Sequence, residues 1–275
     1  MNGKLIAIDM DGTLLNSQNK ISSKNILAIN KASELGVQVV LCTGRIFTSA
    51  LYYANALKLN TPIIACNGAF IAEKNKSKAI YKNPISMECS KKVIDMAERE
   101  GMYYHFYDDS KFYARELTKT VENYYRWNID KDDKDRLNIN IIDNPIHIVE
   151  REKINVYKFV FVEDDGEKLI RFRSKLSQIE GIEVSSSWWN NMEIMNKGVS
   201  KGNALSVLCK LLNIDSQNVM AIGDNENDIP MLKFAGTGIA MGNGEDIVKE
   251  MADYVTDTND NDGVANAINK FISIN

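Results

Sequence analysis

The chain has 275 residues, 44% of them apolar and 25% charged, an ordinary globular composition with room for two unequal domains and sizeable cores. Its net charge of −4, from 33 basic and 37 acidic residues, argues against a general nucleic-acid binder, which needs a basic face to displace counterions. The scattered cysteines Cys42, Cys66, Cys89 and Cys209 form no C-x-x-C pair, which disfavours a disulfide framework or structural zinc and fits a reducing cytoplasm.

In chain order, the apolar run 5–8 is too short for a signal segment or membrane span, so no membrane association is expected. It suits a strand buried on both faces of a parallel sheet. Ser22 or Ser23 can cap a helix that stops at Gly36. Residues 37–41 predict a second strand, ending at Cys42-Thr43-Gly44-Arg45. A helix follows, and 62–66 predicts a third strand ending at Asn67-Gly68. This alternation is the rhythm of an α/β domain with right-handed crossovers.

From Pro84 the pattern changes. A helix with Cys89, Val93, Met96 and Ala97 on one face precedes a strand at 102–106 and a hairpin through Asp108-Asp109-Ser110. A helix at 117–127, a charged loop at 130–136, a strand at 156–162, a helical stripe from Leu169 to Ile179 and a short strand at 182–184 complete an α+β unit. The first rhythm resumes near Trp189 with a strand at 192–195 and a helix capped by Ser200, apolar at Ala204, Val207, Leu208, Leu211 and Leu212. A strand at 219–222 ends at Gly223-Asp224, and shorter elements follow. The expected architecture is a Rossmann-like, three-layer parallel-sheet core from residues 1–83 and 190–275, with an α+β cap inserted at 84–189.

Three predicted strands end in polar groups: Asp9 with Asp11, Thr43, and Asp224. Ligands in open α/β sheets bind outside the carboxyl ends of the strands, so these groups are expected to meet in one crevice. Three carboxylates without a histidine nearby in sequence suit a hard cation, and Mg²⁺ takes few protein ligands while keeping waters and substrate phosphate. Lys201, opening a capped helix, adds positive charge. Such a pocket complements a phosphoryl group.

These residues carry a family resemblance. Asp9-Met10-Asp11-Gly12-Thr13-Leu14-Leu15 resembles the first motif of the haloacid dehalogenase superfamily, and Thr43-Gly44-Arg45 the second. Lys201 in Gly198-Val199-Ser200-Lys201-Gly202 resembles the third, and Gly223-Asp224-Asn225-Glu226-Asn227-Asp228 the fourth. Asn67-Gly68-Ala69 and Ile239-Ala240-Met241-Gly242-Asn243 resemble its Cof-type phosphatase branch, whose cap is of the C2B kind. The likeness runs the whole length in order and spacing, although the cap matches in pattern more than in residues.

The resemblance implies that Asp9 attacks phosphorus and forms an aspartyl-phosphate. It implies that Asp11 protonates the leaving group and then activates water, its pKa raised by nearby negative charge. Mg²⁺ is implied on the Asp9 carboxylate, the Asp11 backbone carbonyl and Asp224. Thr43, the Gly44 amide, Lys201 and Asn227 are implied to hold phosphoryl oxygens. Asp228 is expected to orient metal-bound water or Lys201, and Arg45 to contact substrate or bridge core and cap. The activity implied is hydrolysis of a small phosphorylated metabolite such as a sugar phosphate. A phosphotransferase or phosphomutase using the same intermediate, and a phosphate sensor without turnover, are the alternatives. The oligomeric state is left open.

Plainer readings exist for single residues. Asp before Gly-Thr is ordinary turn chemistry, and Thr43 could be only a helix cap. A lysine in a first helical turn is mildly unfavourable without an anion to bind. In the cap, His105, Tyr113 and Arg115 are candidates for substrate contact, with sheet packing the expectation for His105. Trp188-Trp189 is expected to pack the hinge. Gly236-Thr237-Gly238 with Gly242 opens a predicted strand instead of a helix, so it is no dinucleotide loop.

Overall fold

The computed structural model describes residues 3–74 and 79–271. The chain begins as read: β1 (Leu5–Ile8), α1 (Ser23–Glu34), β2 (Gln38–Leu41), α2 (Phe47–Ala56) and β3 (Ile63–Ala65). Ser22 is the α1 cap, its side chain accepting from the Asn25 amide. Two short strands that the sequence reading missed follow: β4 (Phe70–Ala72) folds back antiparallel on β3, and β5 (Ala79–Lys82) antiparallel on β4.

Ten elements follow: α3 (Met87–Arg99), β6 (Tyr104–Tyr107), β7 (Lys111–Ala114), α4 (Lys119–Ile129), β8 (Asn138–Ile141), α5 (Pro145–Arg151), β9 (Lys158–Val162), α6 (Gly166–Leu176), β10 (Ile182–Ser185) and β11 (Asn191–Asn196). The chain closes with α7 (Lys201–Leu212), β12 (Val219–Gly223), α8 (Ile229–Phe234), β13 (Thr237–Ala240), α9 (Asp246–Met251), β14 (Tyr254–Val255) and α10 (Gly263–Phe271).

The core sheet is parallel in the order β14-β13-β12-β1-β2, so strands from both ends of the chain lie side by side. β1 and β12 are buried at every residue, as their continuous apolar runs require. Successive strand residues point to opposite faces. Ile6 and Ile8 therefore share a core with Ile29 of α1 and Ile268 of α10, while Leu5 and Ala7 share one with Leu205 and Leu208 of α7 and Met231 of α8. Two helical layers thus clamp one sheet, and both parallel central strands point their carboxyl ends the same way.

The cap is a six-stranded sheet in the order β10-β11-β9-β6-β7-β8. Its outer face carries α3, α5 and α6, through Val93, Val149 and Phe172 against Phe106, Phe159 and Ile194. Alternation sends the intervening residues, His105, Tyr107, Lys158, Val160, Glu193 and Met195, to the opposite face. There Tyr107, Val160 and Met195 join the core's own apolar cluster.

One boundary moves. The sequence pattern makes 192–195 the first strand back in the core, with the core resuming at 190. It is part of β11, paired with β9 and β10 in the cap sheet, so the return to the core falls after Asn196. A buried Met-Glu-Ile-Met strand reads alike in either sheet, because membership is set by pairing partners.

Candidate active site

Asp9 follows the last residue of β1, and its amide donates to the Ile222 carbonyl of β12 at 3.0 Å. The turn after it closes through a hydrogen bond from the Leu15 amide to the Met10 carbonyl at 2.8 Å. Gly12 in that turn has φ +78°, and a Cβ there would sit 2.2 Å from Oδ2 of Asp224. Both facts demand glycine. Gly12→Ala is expected to cost about 1–3 kcal/mol through strain and to displace Asp224, lowering turnover. Urea unfolding and kinetics on the purified variant test this, and wild-type values for both would contradict it.

Asp224, at the end of β12, is held from both sides. The Thr13 hydroxyl donates to Oδ1 at 2.7 Å and the Asn225 side-chain Nδ2 to Oδ2 at 2.6 Å. Asp228 is fully buried, and its Oδ2 accepts from the Asp224 and Asn225 amides at 2.9 and 3.1 Å. Its Oδ1 accepts from Lys201 at 2.6 Å. Lys201 opens α7, whose cap is Ser200, and also donates to Oδ1 of Asp9 at 2.5 Å. One buried ammonium thus braces two carboxylates. Those two hold its proton, their pull outweighing burial, so its pKa lies well above the ordinary lysine range.

Oxygens of Asp9, Asp224 and Asp228 lie within 4.8 Å of one another. Burial first, then repulsion from Asp228, pushes the Asp9 carboxyl up to about 7 despite Lys201. Burial and the nearby Asp9 and Asp228 raise Asp224 well above the carboxylate range. Three carboxyl groups crowded around one lysine in a desolvated place resist ionising together, a repulsion that a hard cation would offset. Asp224 and Asp228 each have both oxygens hydrogen-bonded, Asp228 to Lys201 and two backbone amides, whereas Asp9 is held through Oδ1 alone.

Behind β2, the Arg45 amide donates to the Thr43 hydroxyl at 3.1 Å. α2 starts later, with Ile46 at its cap position, so Thr43 is not a helix cap. The Arg45 guanidinium grips Asp11 through two hydrogen bonds, at 2.7 and 2.5 Å. Here the sequence expectation is reversed. The Arg45 guanidinium beside it holds the Asp11 carboxyl below the ordinary range. The Asp11 side chain is 55% exposed, so water screens this pair.

A cavity of about 250 Å³ brings together Asp9, Asp11, Gly44, Arg45 and Asn227, while Thr43, Lys201, Asp224 and Asp228 are buried among them. The cap supplies the roof, and here sequence reasoning missed the players. Lys158 and Glu193 line the cavity as a buried ion pair at 2.7 Å. Glu193 also accepts from Asn67 at 2.6 Å, and Asn67 in turn accepts from Asn227 at 3.2 Å, so a hydrogen-bonded chain runs from core to cap. The signal was present: a lysine opening the apolar strand β9, and a glutamate between Met192 and Ile194 in β11.

The cap candidates fare differently. His105 is buried, stacked on Phe112 and hydrogen-bonded to the Tyr107 hydroxyl at 3.0 Å, as packing predicts. Tyr113 bonds Asp108, and Arg115 pairs with Glu98 beside a different pocket. Trp188, expected to pack the hinge, is instead 57% exposed and lines the cavity. All four cysteines are free and buried.

An α/β core with its strand ends under an inserted cap marks a capped hydrolase. A family model described as haloacid dehalogenase-like hydrolase matches residues 6–268. A 5-amino-6-(5-phospho-D-ribitylamino)uracil phosphatase of Bacillus subtilis (strain 168) is 36% identical over 273 residues, covering 98% of this chain and 96% of that protein. A pyridoxal phosphate phosphatase of Escherichia coli (strain K12) is 30% identical, covering 98% of each. The solved structure of a haloacid dehalogenase-like hydrolase from B. subtilis matches with TM-score 0.88 at 31% identity, over 98% of this chain and 100% of that one. The chain belongs to the haloacid dehalogenase-like hydrolases, in their Cof-type phosphatase branch, and is by class a phosphoric monoester hydrolase.

Proposed function

We propose that the protein hydrolyses phosphomonoesters of small metabolites, with Mg²⁺, through an aspartyl-phosphate on Asp9. The observation that carries this is the buried trio Asp9, Asp224 and Asp228 around Lys201, opening on a cavity shared with Asp11, Gly44 and Arg45. The relatives that act on phosphorylated metabolites, a pyridoxal phosphate and a ribitylaminouracil phosphate, support the substrate class. Four free, buried cysteines fit a cytoplasmic setting, and no helix among the described residues is long and apolar enough to cross a membrane.

Asp9, Asp224 and the Asp11 backbone carbonyl would hold the metal. Bound there, Mg²⁺ supplies positive charge that offsets repulsion between an anionic nucleophile and an anionic phosphate. Lys201 fixes one oxygen of Asp9 and so aims the carboxylate. An Asp9 oxygen attacks phosphorus, the bond from phosphorus to the leaving oxygen breaks, and that oxygen takes the Asp11 proton. Asp11, now ionised, takes a proton from water as the water oxygen attacks the aspartyl-phosphate, releasing inorganic phosphate and the Asp9 carboxylate. The acid step needs Asp11 protonated, and Arg45 opposes that. An arriving phosphate is an alternative partner for the guanidinium, so its entry frees Asp11 to take up a proton when one is needed.

Phosphate release from an aryl phosphate, with Mg²⁺ and then with excess EDTA, tests the proposal. Release that EDTA abolishes supports it, and release indifferent to EDTA contradicts it.

The crowded carboxylates add a stability prediction. An unfolded Asp loses its proton near about pH 4, whereas Asp9 in the fold keeps its own to about 7. In that window the folded chain binds more protons, so stability falls as pH rises through it. Mg²⁺ on these carboxylates is therefore expected to raise the melting temperature more at pH 8 than at pH 5.5. Equal shifts at both values, read by thermal unfolding, would count against metal binding by this cluster.

A further inference from the structure

Beyond Arg45 lies a second, larger cavity of about 650 Å³. It shares Asp11, Arg45, Tyr107 and Tyr124 with the cavity that holds Asp9, so the two meet at Asp11. On the proposed reading Asp11 protonates the leaving oxygen, so the leaving group lies against Asp11, where this second cavity opens.

Its walls have a definite chemistry. Tyr124 and Trp127 stand one turn apart on α4, on the same face, and both line the chamber. Neither is loose: the Tyr124 hydroxyl meets that of Tyr107 at 2.9 Å and its ring packs on Phe112, while Trp127 is set edge-on to Tyr52. Ile46 and Leu137 extend the apolar surface, and the side-chain amides of Asn19 and Asn123 offer neutral hydrogen bonds. Among the described residues lining it, the one carboxylate is Asp11 and the one cation Arg45, and these hold each other. A polyhydroxylated sugar would find no free carboxylate among the lining residues to bracket its vicinal hydroxyls, and the neighbouring cation Lys131 is stacked over the Trp127 and Tyr52 rings at 5.2 and 4.5 Å. Rigid aromatic faces with a few neutral polar groups suit a flat ring.

We propose that this chamber seats a planar aromatic leaving group, so that the preferred substrates are phosphate esters carried on a short arm from an aromatic ring. The proposal rests on the phosphatase reading above, and Tyr124 and Trp127 are its specificity-determining residues.

Benzyl phosphate and cyclohexylmethyl phosphate test it, being primary esters of similar leaving-group basicity that differ in the flatness of the ring. Glucose 6-phosphate serves as the sugar arm and acetyl phosphate as a substrate too small to reach the chamber. With Mg²⁺, kcat/KM for benzyl phosphate is expected to exceed that for the cyclohexyl ester and the sugar about tenfold, the size of one good aromatic contact. In Trp127→Leu and in Tyr124→Leu the benzyl-to-cyclohexylmethyl ratio is expected to collapse toward unity. A ratio within one protein is blind to losses of folded enzyme. A wild-type ratio near one, a preference for the sugar, or an unchanged ratio in both variants overturns the inference. If acetyl phosphate is still hydrolysed in those cases, the phosphatase reading stands alone; if no ester is hydrolysed, both fall.

Discussion

Asp9→Asn is expected to lower kcat for phosphomonoester hydrolysis by at least about 10⁴-fold, the scale of removing a nucleophile, while the chain stays folded. The geometry separates the two effects. Asp9 lines the cavity, and its Oδ1 is held by Lys201 at 2.5 Å, so an amide there removes the attacking oxygen without emptying the space. Lys201 keeps its second partner, Asp228, at 2.6 Å. The carboxyl being lost is one that its surroundings push up to about 7, so its removal relieves repulsion. Without metal the variant should therefore unfold no earlier than wild type at pH 8. Steady-state kinetics and thermal unfolding on the same preparation check both halves. A variant that turns over at the wild-type rate would remove Asp9 from the chemistry.

Lys201→Met has the opposite signature, a large loss of stability along with activity. The ammonium is 1% exposed and lies between Asp9 and Asp228, whose side chains are 7% and 0% exposed. Taking away one partner of a buried charge cluster leaves the others uncompensated, which typically costs about 3–5 kcal/mol. Urea unfolding at pH 8 reads this directly, and lowering the pH toward 5.5 should recover part of the loss as carboxylates take up protons. A cost below about 1 kcal/mol would mean that water already screens the cluster. The pair of variants thus distinguishes the proposed nucleophile from the cation that holds it.

The parts of this site carried by the core were legible because each sits where an apolar run ends. Asp9, Thr43 and Asp224 follow β1, β2 and β12, and a parallel sheet brings such ends together without further information. Lys201 could be read from the Ser200 cap in front of it. The cap was harder. Its strands pair as β10-β11-β9-β6-β7-β8, an order that no local pattern encodes, so β11 was assigned to the wrong sheet and Glu193 went unnoticed. Lys158 was hidden for the same reason, since its role depends on a partner 35 positions away. The Asp11 error is electrostatic: its negative neighbours are visible in the motif, but the Arg45 side chain that overrides them is brought to it only by the fold.

Trapping the covalent intermediate tests the central claim most directly. Enzyme turning over a phosphomonoester with Mg²⁺ is quenched in acid and digested, and the peptide containing Asp9 is examined by mass spectrometry for a phosphoryl group. The account predicts the group on Asp9, absent from Asp9→Asn and lost on treatment with hydroxylamine, which cleaves acyl phosphates. A phosphoryl group on another residue, or rapid turnover with Asp9 never labelled, would contradict it.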